Sequence, residues 1–246
     1  VAESIVEHSV TAPMTALVLL FKRPLLGQGK QRLAKSLGLE RTLILAERFL
    51  DCALEDLEGW TGPVVLAPAH AADREWAKTL WPQVDVIPQG MGELGQRILD
   101  LDRLLRNLGH ERLIYMGSDA PVLSSEHYRS AGQRLGASDV VLSAADDGGV
   151  TLMGSTQPWP VGLLDLPWST EQLGHALADC CRASGFSVGY IAPSYDIDLE
   201  ADLSRLAVDL AKDTRPARQR LYQLLLTLNR SEPCDNFSAD ACSASH

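Results

Sequence analysis

The chain alternates short apolar runs with longer amphipathic stretches. Residues 16–21 (ALVLLF) are unbroken apolar sequence, as in a strand buried on both faces. Residues 40–57 instead place Leu43, Ala46, Leu50, Ala53, Leu54 and Leu57 at helical spacing. The alternation then repeats. Strands are predicted at 63–67, 84–87 and 112–117, with helices at 72–80 and 93–108 between them. The second of these helices carries Leu94, Ile98, Leu101, Leu104, Leu105 and Leu108 on one face. A helix over 124–135 follows, then strands at 139–144 and 149–154, a helix at 170–184 and a strand at 187–191. Helices near 200–212 and 216–228 complete the pattern.

Such alternation gives an α/β fold, an open and mostly parallel sheet with helices on both faces. The runs 139–144 and 149–154 are joined by a short Gly-containing turn, so that pair should be antiparallel and the sheet mixed. No internal repeat or interdomain linker interrupts the chain. We expect one three-layer α/β/α sandwich over 14–230, a flexible arm over 1–13 and a disordered tail over 231–246. Ligands collect at the carboxyl ends of strands in such sheets. The loops at 22–32, 88–92, 118–121 and 194–198 each follow a strand and should meet on one rim. The leucine-rich helices near the C-terminal end either complete the core or offer a homodimer face.

Composition narrows the partners. A formal net charge of -10 and a pI near 5.0 argue against a general nucleic-acid binder. They also make the cluster Lys22, Arg23, Lys30 and Arg32 stand out as a local anion site. No apolar run reaches the roughly 20 residues of a membrane span, and the first 13 residues lack a signal-peptide core. The five cysteines, Cys52, Cys180, Cys181, Cys234 and Cys242, form no CxxC pair. They read as free thiols in a reducing cytosol, so a cytoplasmic location is expected.

The rim loops carry the candidate chemistry. FKRPLLGQGKQRL (21–33) is neither a Walker A loop nor GxGxxG. Its glycines allow close backbone approach, and Lys30 and Arg32 near a helix start suit phosphate oxygens. The same residues also suit a solvated basic turn. In PQGMGELGQR (88–97), Gln89 offers a donor and an acceptor to a nucleobase edge, and Gly90, Gly92 and Gly95 admit a flat ligand. A flexible connection into the next helix would look alike. Asp119, directly after a buried strand, is a hard ligand for Mg²⁺ or Mn²⁺, or a turn residue before Pro121. Asp196 and Asp198 alternate along an extended stretch, so both can face one ion, or one can cap the following helix.

In order, these motifs resemble the radical-SAM/selenodomain-associated transferase family from about residue 15 to 208. The chain shows FKRPLLGQGKQRL, QGMGELGQR, GSDAP, DGGVTLMG, WST and DIDLEADL. The resemblance implies the nucleotide-diphospho-sugar transferase (GT-A) fold. It implies that Gly27, Lys30 and Arg32 bind nucleotide phosphates and that Gln89, Gly90 and Gly92 line the base pocket. It further implies that Asp119, with Asp196 or Asp198, holds the metal, and that Asp147, Gly148, Gly149 and Trp168 border the acceptor. The chain departs from the family pattern at Gln31, which replaces threonine, and at Val150-Thr151, which replace an aromatic pair. The crowded cations Lys22 and Arg23 are a third departure.

The expected activity is metal-dependent nucleotidyl transfer from a nucleoside triphosphate to a small anionic acceptor, with Lys30, Arg32 and Asp119 at the reacting centre. Glycosyl transfer from a nucleotide sugar is the alternative on this fold, and nucleotide binding without catalysis is a second.

Overall fold

The computed structural model describes residues 14–229; the expected arm and tail lie outside the described residues. Seven strands form one sheet: β1 (Thr15–Phe21), β2 (Val64–Pro68), β3 (Asp85–Val86), β4 (Arg112–Gly117), β5 (Val140–Ala144), β6 (Val150–Ser155) and β7 (Val188–Tyr190). Their order is β3-β2-β1-β4-β6-β5-β7. Only β6 runs against its neighbours, and it lies between β4 and β5. The predicted antiparallel hairpin is therefore present.

The hairpin turn explains why β6 matters to the site. The Gly148 amide donates to the Ala145 carbonyl, and the Ala145 amide donates to the Gly149 carbonyl. Gly148 takes φ +85°, and a Cβ there would lie 2.0 Å from the Glu171 carbonyl oxygen, so glycine is required. Because β6 is reversed, its first residues sit at the rim where β1 and β4 end. Val150 and Thr151 thereby become cleft residues.

Among the described residues, eight α-helices pack on the sheet or on one another. On one face pack α4 (Leu94–Asn107), α6 (Leu173–Ala183) and the 3₁₀ turn at Val161–Asp165, through Ile98, Leu101, Leu105, Leu163 and Leu177. On the other lie α2 (Leu39–Glu58), α3 (Arg74–Leu80) and α5 (Ser125–Arg134). A further cluster joins α1 (Gln31–Leu37) and the outer side of α2 to α7 (Glu200–Leu210) and α8 (Pro216–Asn229). Leu203, Leu206, Leu210, Leu221 and Leu225 are buried there, so the C-terminal leucines complete the core. The helix start expected near Lys30 and Arg32 is that of α1, which Gly38 separates from α2.

Arg218 fastens this outer cluster. Its side chain is fully buried on α8. It reaches Asp56 at 2.6 Å and Glu55 at 3.1 Å, and donates to the carbonyls of Cys52, Pro121 and Leu123. Arg215 adds a bond to Asp56 at 2.9 Å, and the Tyr128 hydroxyl donates to the same carboxylate at 2.8 Å. The loop that follows β4 is thus bolted to two helices. No helix among the described residues is long and apolar enough to cross a membrane.

Candidate functional site

A cleft of about 1170 Å³ opens at the carboxyl ends of β1 and β4. The loops after β1, β3, β4 and β7 all contribute to its wall, as does the β5–β6 turn. The expected gathering of the rim loops is therefore what the fold produces.

In the loop after β1, Gly27 and Gly29 take φ of +75° and +69°. Gln31 donates from Nε2 to the carbonyls of Gly27 and Gly29 at 3.0 and 3.2 Å. The residue that departs from the family pattern thus braces the loop from the first turn of α1. Lys30, just before that helix, adopts a left-handed conformation (φ 44°, ψ 40°) that is uncommon outside glycine. Its side chain is only 8% exposed, with Nζ 2.9 Å from Asp119 Oδ2 and 3.2 Å from Asp198 Oδ1. A third bond goes to the Ile197 carbonyl. All three donors of the ammonium are engaged. Burial pulls its pKa down, but Asp119 and Asp198 outweigh burial and leave it above the ordinary lysine value.

Lys30 therefore does not offer an open ammonium to a phosphate, as the sequence had suggested. It joins the loops after β1, β4 and β7. Arg23 also turns aside, stacking over the Trp76 ring at 4.9 Å and lying 3.7 Å from Asp73. Lys22 and Arg32 remain exposed at the cleft, with Arg32 Nη1 3.7 Å from Asp198.

The acidic side is built on backbone. Ile197 donates its amide to the Asp119 carbonyl at 2.9 Å, which sets the loop after β4 against the extended segment 194–198. Ile197 is fully buried, so Asp196 and Asp198 on either side fall toward the cleft. Helix α7 is capped by Asp202, whose Oδ2 accepts from the amides of Asp198 and Leu199 at 2.9 and 2.7 Å. Asp198 is thus free of the capping duty. Among the described residues, no group of three or more His, Cys, Asp or Glu side chains is arranged to hold a metal ion. Asp119, Asp196 and Asp198 therefore do not form such a group of three. Asp119 and Asp198 converge instead on Lys30.

Asp196 has its pKa pushed up to about 6, first by burial and then by the charges of Asp198 and Asp147. An aspartate harder to ionise in the folded state than in the unfolded chain favours folding when protonated. Its contribution to stability falls as pH rises from about 4, the unfolded value, through the folded value. In EDTA, Asp196→Asn should stabilise the protein by about 1 kcal/mol at neutral pH, discounted for partial exposure. The gain should shrink at acidic pH. Urea titrations at both pH values would measure it, and a destabilisation at neutral pH would contradict it.

Gln89 is 4% exposed, and its amide is committed. Nε2 donates to the Ala67 carbonyl at 2.7 Å, and Oε1 accepts from Arg97 Nη1 at 3.2 Å. It is a brace for Arg97 rather than a free edge for a base. Gly90 and Gly92, with φ of +86° and +93°, shape the turn from exposed positions, while Gln89, Glu93 and Arg97 form the cleft wall. Asp147 accepts from the Gly149 amide at 2.9 Å, an Asx turn at the cleft edge. Trp168 lines the cleft, held by its indole N–H bond to the Leu163 carbonyl at 2.9 Å and by the close pass of Gly95.

Arg205 and Arg97 line the cleft without having been singled out from sequence, and Thr151, noted there as a departure, joins them. Arg205 stacks 3.7 Å over the Tyr195 ring and pairs with Asp146 across the cleft mouth. Thr151 is 7% exposed, and its hydroxyl has no partner among the described residues. Arg97 was the most legible: with Leu94, Ile98 and Leu101 it follows i, i+3, i+4, i+7 spacing, which puts a charge on the apolar stripe of α4.

Residues 52–170 match the family model described as an uncharacterized protein conserved in bacteria (DUF2064). The DUF2064 segment includes Gln89, Arg97, Asp119 and Trp168, while Lys30, Asp196 and Asp198 fall outside it. No curated protein matches the chain. Among solved structures, a protein of Desulfovibrio desulfuricans G20, provisionally assigned as a nucleotide-diphospho-sugar transferase, superposes with a TM-score of 0.77. It is 23% identical, over 88% of this chain and 96% of its own. A 4-diphosphocytidyl-2C-methyl-D-erythritol synthase superposes at 0.54 with 13% identity, over 81% of this chain and all of its own (100%). A cytidylyltransferase from Leptospira borgpetersenii serovar Hardjo-bovis (strain JB197) superposes at 0.50 with 13% identity, over 88% and 96%. The fold is that of the nucleotide-diphospho-sugar transferases.

Proposed function

We propose that the chain is a nucleotidyltransferase, joining a nucleoside monophosphate from a triphosphate to a small phosphorylated or otherwise anionic acceptor. One observation carries the reading: Asp119 and Asp198 converge on a buried cation at the carboxyl rim, beside the exposed cations Lys22 and Arg32. The cleft has the volume for a nucleotide and an acceptor together. Two proteins of the same fold are named as cytidylyl-transferring enzymes, which supports the choice without fixing the substrate.

Lys22 and Arg32 would take the triphosphate oxygens, Arg32 as a fork and Lys22 as a point charge. An acceptor oxyanion would attack the α-phosphorus, the bond to the bridging oxygen would break, and pyrophosphate would leave with its electron pair. An acceptor that is already ionised needs no general base. The protein's work is then positioning and charge neutralisation. Trp168 and the Asp147–Gly149 turn would border the acceptor, and the Arg205–Asp146 pair would limit access at the mouth.

Asp119 and Asp198 fit a hard divalent cation, because both are half-exposed carboxylates already directed at one positive charge. Bound there with substrate oxygens as further ligands, Mg²⁺ or Mn²⁺ would neutralise phosphate charge.

A thermal-shift panel tests the reading. Nucleoside triphosphates, diphosphates and nucleotide sugars are each added with and without Mg²⁺. A Mg²⁺-dependent shift larger for a triphosphate than for the matching nucleotide sugar is expected. A shift confined to a nucleotide sugar would make glycosyl transfer the better account. Triphosphate binding without pyrophosphate release, across a range of acceptors, would point to a binding protein.

A further inference from the structure

Arg97 carries a charge that no carboxylate among the described residues answers. Four other cations of the cleft, Arg23, Lys30, Arg32 and Arg205, each lie within ion-pair distance of a carboxylate. Lys22 lacks one but is exposed to water. Arg97 is half-buried on the first turn of α4, and among the described residues no carboxylate lies within 4.0 Å of its guanidinium. Its Nε is buried with no hydrogen-bond partner among the described residues. Thr151, more than nine-tenths buried on β6, brings a second unpartnered group to the same cleft. Buried polar groups are paired as a rule, and those left over at a cleft wall are open to a bound water, an ion or a ligand.

The surroundings also fix which way Arg97 can act. Gln89 must present Oε1 to Arg97, because its Nε2 is held by the Ala67 carbonyl. The amide cannot turn over without losing both bonds. One Nη1 hydrogen is therefore spent on Gln89, while Nη2 makes no hydrogen bond among the described residues. A guanidinium only donates. This end of the cleft consequently presents a fixed donor fork, not the donor-and-acceptor pair that a free glutamine would give.

We infer that Arg97 is a specificity-determining residue, reading a ligand edge with two adjacent hydrogen-bond acceptors. This rests on the nucleotide reading proposed above. In a nucleotide such an edge is O6/N7 of guanine or O2/N3 of cytosine. Adenine sets an amino donor beside its ring nitrogens, and arginine forks pair with guanine as glutamine pairs with adenine. The phosphates offer paired acceptors too, and the test separates them from the base.

The affinities of the full chain for GTP, CTP, UTP and ATP, each with Mg²⁺, are measured by calorimetry on wild type, Arg97→Met and Arg97→Lys. GTP or CTP should bind at least about ten-fold more tightly than ATP to the wild type. Arg97→Met should bring that ratio close to one with little change for ATP. Arg97→Lys, which keeps the charge but not the fork, should lose the ratio as well, and it stands in should the methionine variant not fold. Equal wild-type binding of all four overturns the inference and leaves the nucleotide reading intact. So does a ratio unchanged by both substitutions. A loss of the same factor for all four places Arg97 on phosphate and overturns the base assignment. No binding by any of the four overturns the nucleotide reading and this inference together.

Discussion

Lys30→Met is expected to tighten divalent-cation binding in the absence of nucleotide, by ten-fold or more. The ammonium lies between Asp119 and Asp198, at 2.9 and 3.2 Å. A second cation approaching those carboxylates meets a positive charge already in place. At about 4 Å and an effective dielectric near 20, one pair of unit charges interacts by about 4 kcal/mol, and solvent screening at half-exposed groups reduces this. Methionine keeps most of the apolar stem over Phe49, whose ring lies 5.9 Å from Nζ. The same substitution should lower stability by about 2 kcal/mol in EDTA, since two like charges lose the group that joins them. Added Mn²⁺ should restore much of that loss. Mn²⁺ titrations followed by electron paramagnetic resonance, with melting curves in EDTA and in Mn²⁺, give both numbers. Weaker Mn²⁺ binding by the variant would mean that Lys30 organises the carboxylates for the ion instead of competing with it.

Arg218→Leu should cost about 3–5 kcal/mol, a large share of the roughly 5–15 kcal/mol that holds a domain folded. The residue is fully buried, and its loss would leave Glu55 with the Ala217 amide and the almost fully enclosed Asp56 carboxylate with Arg215 and the Tyr128 hydroxyl. It would also take the Arg218 donor from the carbonyls of Pro121 and Leu123, two and four residues past Asp119, and leave Leu123 with Arg215. Arg218→Lys should rescue little, because one ammonium cannot reach acceptors spread around a planar fork. Urea unfolding gives the stability, and hydrogen exchange over 118–124 reports the loop. A loss below about 1 kcal/mol would show that Arg215 and Tyr128 suffice to secure Asp56.

How much of this was legible beforehand depends on the range of the cause. The strand 16–21 and the helix 93–108 were readable because burial on two faces, or on one, writes its own period into the chain. The antiparallel hairpin was readable from its glycine turn. The second buried face of α2, with Leu45 and Phe49, was not. It exists because α7 and α8 cover that side, and those helices lie some 150 residues away in the chain.

The site divides in the same way. That Lys30, Asp119 and Asp198 would share one rim followed from their positions after strands of a mostly parallel sheet. Their charges suggested phosphate for the lysine and metal for the aspartates. The structure pairs the lysine with the aspartates themselves. Which groups neutralise one another depends on distances of a few ångströms between segments far apart in sequence, and Coulomb energy at such range outweighs residue type. Gln89 and Arg97 make the same point. Residue type alone cast Gln89 as the reader of a base; its bonds to Ala67 and Arg97 make it the support. The order of strands and helices, and the rim on which the charged loops would meet, were determined by the sequence through local periodicity. Only the tertiary structure decided which of those charged groups are spent on one another and which remain for a ligand, because each hydrogen-bond donor is satisfied by whatever acceptor the fold brings within reach.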